Sequence, residues 1–294
     1  MNKLARIAIS AICLAVLTTA LFAAEDNDEI DRSPVFHIFA DVNLIPTTQL
    51  EYDRPRVVIK AIVPKLVSQT EDEIIDQYNE VVLSLIDEEA ENFRQIVKNH
   101  AEYQEAMAKS DVKNDLIIDF DSSVLTTSNS PILSLRFVIH GVVSGMSGSY
   151  RKHRVLNYDL DTGSEVQLAE LFLPTANYLD AISTGARNIL ARKLKDQSRV
   201  IEGTTPTFEH FQNWNLTAHG LRITFDQQQV APAKYGSQTI TIPYADLEEI
   251  INPESVLATC IKHRRRCFGN NVLTGGFIDE ARNKHTRIKP YQSA

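Results

Sequence analysis

Arg56-Val57-Val58-Ile59-Lys60-Ala61-Ile62-Val63 runs into Pro64 and is followed by Thr70-Glu71-Asp72-Glu73 and a long apolar periodicity. The β-branched run is strand-forming, and the proline predicts its end at residue 63. Thr70 and Glu73 have the spacing of a capping box, in which threonine and glutamate satisfy each other's backbone donors. Behind them Ile74, Ile75, Tyr78, Val81, Val82, Leu85, Ile86, Phe93, Ile96 and Val97 recur at three- and four-residue intervals. That spacing puts one apolar stripe along a long helix, and such a stripe needs a sheet to cover it. Asp76, Glu80, Asp87, Glu88, Glu89 and Glu91 read as the solvated face.

Downstream, Leu116, Ile118 and Phe120 alternate with polar residues, as do Leu133, Leu135, Phe137 and Ile139. With the turn-rich Thr126–Pro131 between them, they predict an antiparallel hairpin bridging two halves whose boundary falls near Ser130. The second half repeats strand-then-helix logic. Strands at Val155–Leu160 and Glu165–Leu168 flank a glycine turn, and an amphipathic helix follows over Tyr178–Leu194. Strands at Leu221–Phe225 and Thr239–Ile242 precede a short helix from Pro243 to Ile251. The expected fold class is α+β, antiparallel sheets with packed helices, in two consecutive strand-helix halves, residues 25–130 and 131–254.

The flanks are of another kind. In residues 1–24, Lys3 and Arg6 precede an apolar run from Ile7 to Phe22 and then Ala23-Ala24, the pattern of a secretory signal peptide cleaved near Ala23. The expected mature product is periplasmic or secreted and has no stable membrane span. The rival reading is an uncleaved anchor, since the run approaches membrane-spanning length. The chain carries 30 Lys+Arg against 38 Asp+Glu, a net charge of −8, and cleavage makes it more acidic still. That balance argues against a nucleic-acid partner, which needs a basic face to neutralise phosphates. In residues 255–294 Lys and Arg outnumber acids, so this basic tail is expected to be a solvated extension or to meet an anionic surface, the acidic body or a lipid. Cys260 and Cys267 lie there, and in an oxidising compartment they would most simply form a disulfide. A metal reading of Cys260–Cys267 is poor, because Lys262, Arg264, Arg265 and Arg266 would repel a cation.

Leu156-Asn157-Tyr158-Asp159-Leu160-Asp161-Thr162-Gly163 and Leu168-Ala169-Glu170-Leu171-Phe172 resemble the "NFDLxTG…LxDLF" segment of a family of exported domains. Leu216–Phe225, Val230–Gly236 and Ile242-Pro243-Tyr244 follow in the family's order, so that the resemblance runs from about Ser134 to Pro253. This family is the RsiV-like one: the ectodomain of lysozyme-sensing anti-sigma factors, also the accessory domain of PdaC-type deacetylases. More weakly, Ile45–Val97 resembles the strand-helix domain that precedes it. The resemblance implies a binding module of the bacterial cell envelope, with a cationic protein such as lysozyme or a cell-wall glycan as partner. Here Ser144–Tyr150 lacks the family's Gly-Gly-Ala-His loop, and with only Met1–Arg6 before the apolar run the expectation is a chain without a sigma-binding domain.

Catalytic patterns are sparse. Thr224-Phe225-Asp226 begins like the Thr-Phe-Asp-Asp motif of polysaccharide deacetylases, but Gln227 stands where the base belongs. Gly145-Met146-Ser147-Gly148 is not a nucleophile elbow. Asp159 and Asp161 would share a strand face about 6–7 Å apart, which would suit a hydrolase acting on peptidoglycan or polysaccharide. The leading expectation is non-enzymatic binding with neither metal nor cofactor. Tyr150, Tyr158, Trp214, Tyr235 and Tyr244 are candidate stacking residues, with Asp159 and Asp161 beside them; core packing is the alternative for each aromatic.

Overall fold

The computed structural model describes residues 35–53, 57–100, 114–126, 131–146, 148–258, 261 and 273–274. The expected signal peptide, Cys260, Cys267 and most of the basic tail lie outside the described residues. Among the described residues no helix is long and apolar enough to cross a membrane.

The fold is α+β and rests on one large sheet. Its strands are β1 (Phe36–Phe39), β2 (Val42–Asp53), β3 (Val57–Val67), β4 (Asn114–Thr126), β5 (Pro131–Val142), β6 (Ser149–Asp159) and β7 (Ser164–Glu165), hydrogen-bonded in that order. Helix α1 (Glu73–Asn99) crosses between β3 and β4, which pair in parallel from Val57↔Asn114 to Ala61↔Ile118. The α+β class with antiparallel sheets and packed helices is as expected, and this one seam is parallel because the helix supplies the crossover that parallel neighbours need. Beyond Ile118 the same side of β4 receives β11 (Leu273–Thr274), opposite Ser122 and Asp121. The β4–β5 hairpin is antiparallel throughout, so the sheet runs unbroken on either side of residue 130.

Pro64 does not end β3. It lies opposite Pro46 of β2, and two residues without N–H groups can face each other only at a non-hydrogen-bonded position of the ladder. The strand passes through because β4 pairs with it only as far as Ala61. The cap of α1 also differs from expectation. Asp72, not Thr70, accepts hydrogen bonds from Ile74 N (2.9 Å) and Ile75 N (3.4 Å). Aspartate directly before the first turn reaches these donors by itself.

The apolar stripe of α1 packs onto β3 and β4 as predicted, burying Ile75, Tyr78, Val82, Ile86, Ala90, Phe93 and Val97. Glu89 is an exception to the solvated face. It is 1% exposed and meets Lys152 Nζ at 2.5 Å and an Arg154 guanidinium nitrogen at 3.0 Å, both from β6. Standing three residues after Ile86 and four before Phe93, it occupies the apolar stripe by geometry, and the β6 cations compensate its burial.

A second layer covers part of the sheet's other face. It contains a three-stranded antiparallel sheet of β8 (Trp214–Thr217), β9 (Gly220–Phe225) and β10 (Gln238–Ile242), with β9 central. Around it lie α2 (Tyr178–Leu190), α3 (Gln197–Gly203) and the one-turn α4 (Phe208–Phe211). The expected helix after Pro243 is two 3-10 turns, Tyr244–Asp246 and Glu248–Ile250. Side-chain hydrogen bonds join the layers. Ser134 Oγ donates to Asn157 Oδ1 (2.5 Å) and accepts from Asn215 Nδ2 and Leu216 N, each 3.0 Å away. Asn157 Nδ2 donates to Trp214 O (3.0 Å), so a buried polar seam links the layers where two apolar cores meet, with Asn215 Oδ1 left unpartnered.

Burial of tyrosine sets an alkaline limit on stability. Burial, with the Glu89 charge adding to it, pushes the Tyr150 hydroxyl up to about 12. The hydroxyls of buried Tyr78 and Tyr244 are also raised by burial. Unfolded tyrosine ionises near about 10, so the stability these neutral hydroxyls contribute is fully present below that value and declines as pH rises from about 10 through 12. Urea midpoints followed by circular dichroism should be level from neutral pH to the onset of tyrosine ionisation and then fall. Midpoints that stay constant to pH 12 would contradict the burial of these rings.

Candidate functional site

The residues singled out from sequence are dispersed. Tyr150 lies across Gly141, where an added Cβ would come within 2.3 Å of its ring, and packs against the larger core. Tyr158 is 1% exposed, edge-on to Tyr78 with ring centroids 5.4 Å apart, and its hydroxyl donates to Gly163 O (2.9 Å). Trp214 is buried in the second core, and Tyr244 is buried with its hydroxyl donating to Thr217 O (2.8 Å). Tyr158, Trp214 and Tyr244 therefore offer no ring face to a ligand, and core packing accounts for them.

Asp159 and Asp161 do not share a strand face. β6 ends at Asp159, and the chain turns through residues 160–163, where Gly163 takes a φ of +68°. The Asp159 carboxylate is buried and accepts from Asp161 N (2.8 Å) and Thr162 N (3.3 Å), while Asp161 is exposed in the turn. This arrangement is an Asx-type turn, in which Asp159 holds the hairpin closed. Asp226 stands just after β9, 2.6 Å from the buried His153 Nδ1, with Asn213 Nδ2 donating to its other oxygen (3.3 Å). Among the described residues no group of three or more His, Cys, Asp or Glu is placed to hold a metal ion.

Tyr235 is different. It is 57% exposed and stands on a cleft of about 440 Å³ lined by Lys193, Leu194, Lys195, Asp196, Ala231, Pro232, Lys234, Tyr235 and Gln238. Two chain segments build it. After α2 the backbone winds off through Lys193 N and Leu194 N, both bonded to Leu190 O, and reaches Asp196 before α3. The opposite wall is a 3-10 turn, Ala233–Tyr235, which begins after Pro232 and closes at Gly236 with φ +65°. Gln227 Nε2 braces it at Ala233 O (3.0 Å) and Gln238 Nε2 at Tyr235 O (2.9 Å).

The cleft is cationic in a chain of net negative charge. Lys193, Lys195 and Lys234 are exposed, and among the described residues none has an ion-pair partner; Lys234 Nζ lies 5.0 Å from the Tyr235 ring centroid. The one acid, Asp196, is already engaged: it accepts from Ser198 Oγ (2.7 Å) and Arg199 N (3.3 Å), and the Ser198 hydroxyl bond foremost lowers its pKa. Sequence reading found Tyr235 but not the lysines. Lys193 sits where a helix was expected to run on to Leu194, and Lys195 just beyond it; the helix instead ends at Leu190.

Comparison with known proteins places a family match inside the stretch that carries these features. Residues 169–245 match a family described as a protein of unknown function, DUF3298. The fold is similar to the crystal structure of a DUF3298 family member from Bacteroides fragilis, at 16% identity over 79% of this chain and 98% of the other, with a TM-score of 0.52. A DUF3298 family protein from Pseudomonas aeruginosa is 14% identical over 76% of this chain and 96% of its own, with a TM-score of 0.44. At such identities the likeness concerns the fold alone. No curated protein matches the chain.

Proposed function

We propose that this chain is an exported binding module of the bacterial cell envelope that works by docking, and that its partner is a cationic, lysozyme-like protein. The observation that carries this reading is an acidic stripe on α1. Glu73, Asp76, Glu80, Asp87 and Glu91 are all exposed, and their spacings of three, four, seven and four residues keep them on one face. At 1.5 Å per residue the stripe is about 27 Å long, enough to steer a basic protein into register. The secretory pattern of residues 1–24, the likeness of Ser134–Pro253 to RsiV-like ectodomains and the DUF3298 match at 169–245 support it.

The test is association of the mature chain with lysozyme at several salt concentrations. Binding should weaken as salt rises, and the Asp76→Asn, Glu80→Gln, Asp87→Asn triple variant should slow association about tenfold while leaving thermal stability unchanged. Binding that is absent at low ionic strength, or indifferent to the triple variant, would remove this reading.

A further inference from the structure

The Tyr235 cleft lies on a different element from the acidic stripe of α1, and its charge is of the opposite sign. We propose that it is a binding site for an acidic saccharide, a sugar ring bearing a carboxylate. The volume of about 440 Å³ falls within the roughly 300–1,000 Å³ range of small-ligand clefts. Leu194, Ala231 and Pro232 give it an apolar lining, and Ala231 is itself buried at 2% exposure. Beside that lining the exposed Tyr235 ring offers a flat face, the combination that takes the C–H face of a pyranose.

Charge fixes the class of sugar. Three lysines line one concavity, none with an ion-pair partner among the described residues, while the carboxylate of Asp196 is held by Ser198 and Arg199. A lysine alone on a surface needs no explanation, since water solvates it. Here Lys193 and Lys195 come from one wall and Lys234 from the other, where its Nζ lies 5.0 Å from the Tyr235 ring centroid. A neutral sugar would leave their charge unused, and a cationic ligand would be repelled. A carboxylate seated between the walls would gain charge-assisted hydrogen bonds from both.

The experiment is calorimetric titration of the mature chain with trigalacturonate, with its methyl ester and with N-acetylglucosaminyl-N-acetylmuramic acid, using inorganic phosphate as competitor. At least one of the two acids should bind. The ester, which keeps the rings and removes the charge, should bind at least tenfold more weakly than trigalacturonate if that is the acid taken. Tyr235→Ala and the Lys193→Gln, Lys195→Gln, Lys234→Gln triple variant should each weaken acid binding at least tenfold without moving the thermal midpoint. Any one of four results overturns the proposal: neither acid binds; ester and acid bind equally; either variant leaves binding intact; or phosphate displaces the sugar at equal concentration, which would mark a simple anion site. Lysozyme association is a separate measurement, so the α1 reading stands or falls independently.

Discussion

Asp121→Ala is expected to destabilise the fold by about 3–5 kcal/mol, the cost of breaking a buried ion pair by removing one partner. Asp121 is 6% exposed on β4 and serves two arginines from different layers. Arg136 of β5 donates to its Oδ2 through Nε (2.8 Å) and a second guanidinium nitrogen, and Arg222 of β9 donates to its Oδ1 (2.7 Å). Arg136 continues to Thr224 Oγ1 (3.0 Å) and Thr239 Oγ1 (3.1 Å), so a single carboxylate ties the large sheet to both β9 and β10. Burial already pulls the Arg222 guanidinium down from its ordinary value, with the Asp121 charge opposing that effect. Without the carboxylate, two cations are left facing each other in a largely buried interface. Urea denaturation should show the full loss for Asp121→Ala, and adding Arg222→Met should recover part of it. A loss below about 1 kcal/mol would mean that water compensates the arginines and the interface is open.

Gly220→Ala is expected to cost about 3 kcal/mol or more, a fall of roughly 6–12 °C in Tm for a domain of this size. Gly220 opens β9 at the tight β8–β9 turn with a φ of +154°. A Cβ there would lie 2.1 Å from Ile242 O, 2.8 Å from Ile242 C and 3.0 Å from Pro243 Cα. All three atoms are backbone, so no side chain can swing aside, and β10 would have to move from its partner. Gly148→Ala is the control. Its φ is also positive, +99°, but nothing lies within 4 Å of the added Cβ, so it bears conformational strain alone. Equal Tm losses for the two substitutions would show that the close approach of Gly220 to β10 does not matter.

Much of the fold was legible because its signals are local and periodic. The α1 stripe, the β4–β5 alternation, the glycine turn after β6 and the β9 and β10 runs are each readable within a short window. What sequence missed depends on partners far along the chain. β1 and β2 were unread because Val42–Asp53 carries Pro46 and several polar residues, and its alternation shows only against β3. Glu89 was assigned to solvent by its charge, although its spacing from Ile86 and Phe93 already placed it inward; Lys152 and Arg154 make that position tolerable. The candidate site was half legible. Tyr235 was on the sequence-derived list, but Tyr158 and Trp214 stood there on equal terms, since an aromatic residue beside polar neighbours looks alike in a core and on a cleft. Asp159 and Asp161 had catalytic spacing only if the strand continued, and the turn that begins after Asp159 removes it.

The parallel seam between β3 and β4 also bears on how the sheet is assembled. Every ladder on either side of it along the main path, β1–β2, β2–β3, β4–β5, β5–β6 and β6–β7, joins strands adjacent in the chain. Along that path the seam alone must wait for α1 and its connection to bring distant residues together, and that closure costs more loop entropy than the hairpins do. The seam thus divides the main path into two ribbons of chain-adjacent strands, and joining them is the step along it that spends the most loop entropy.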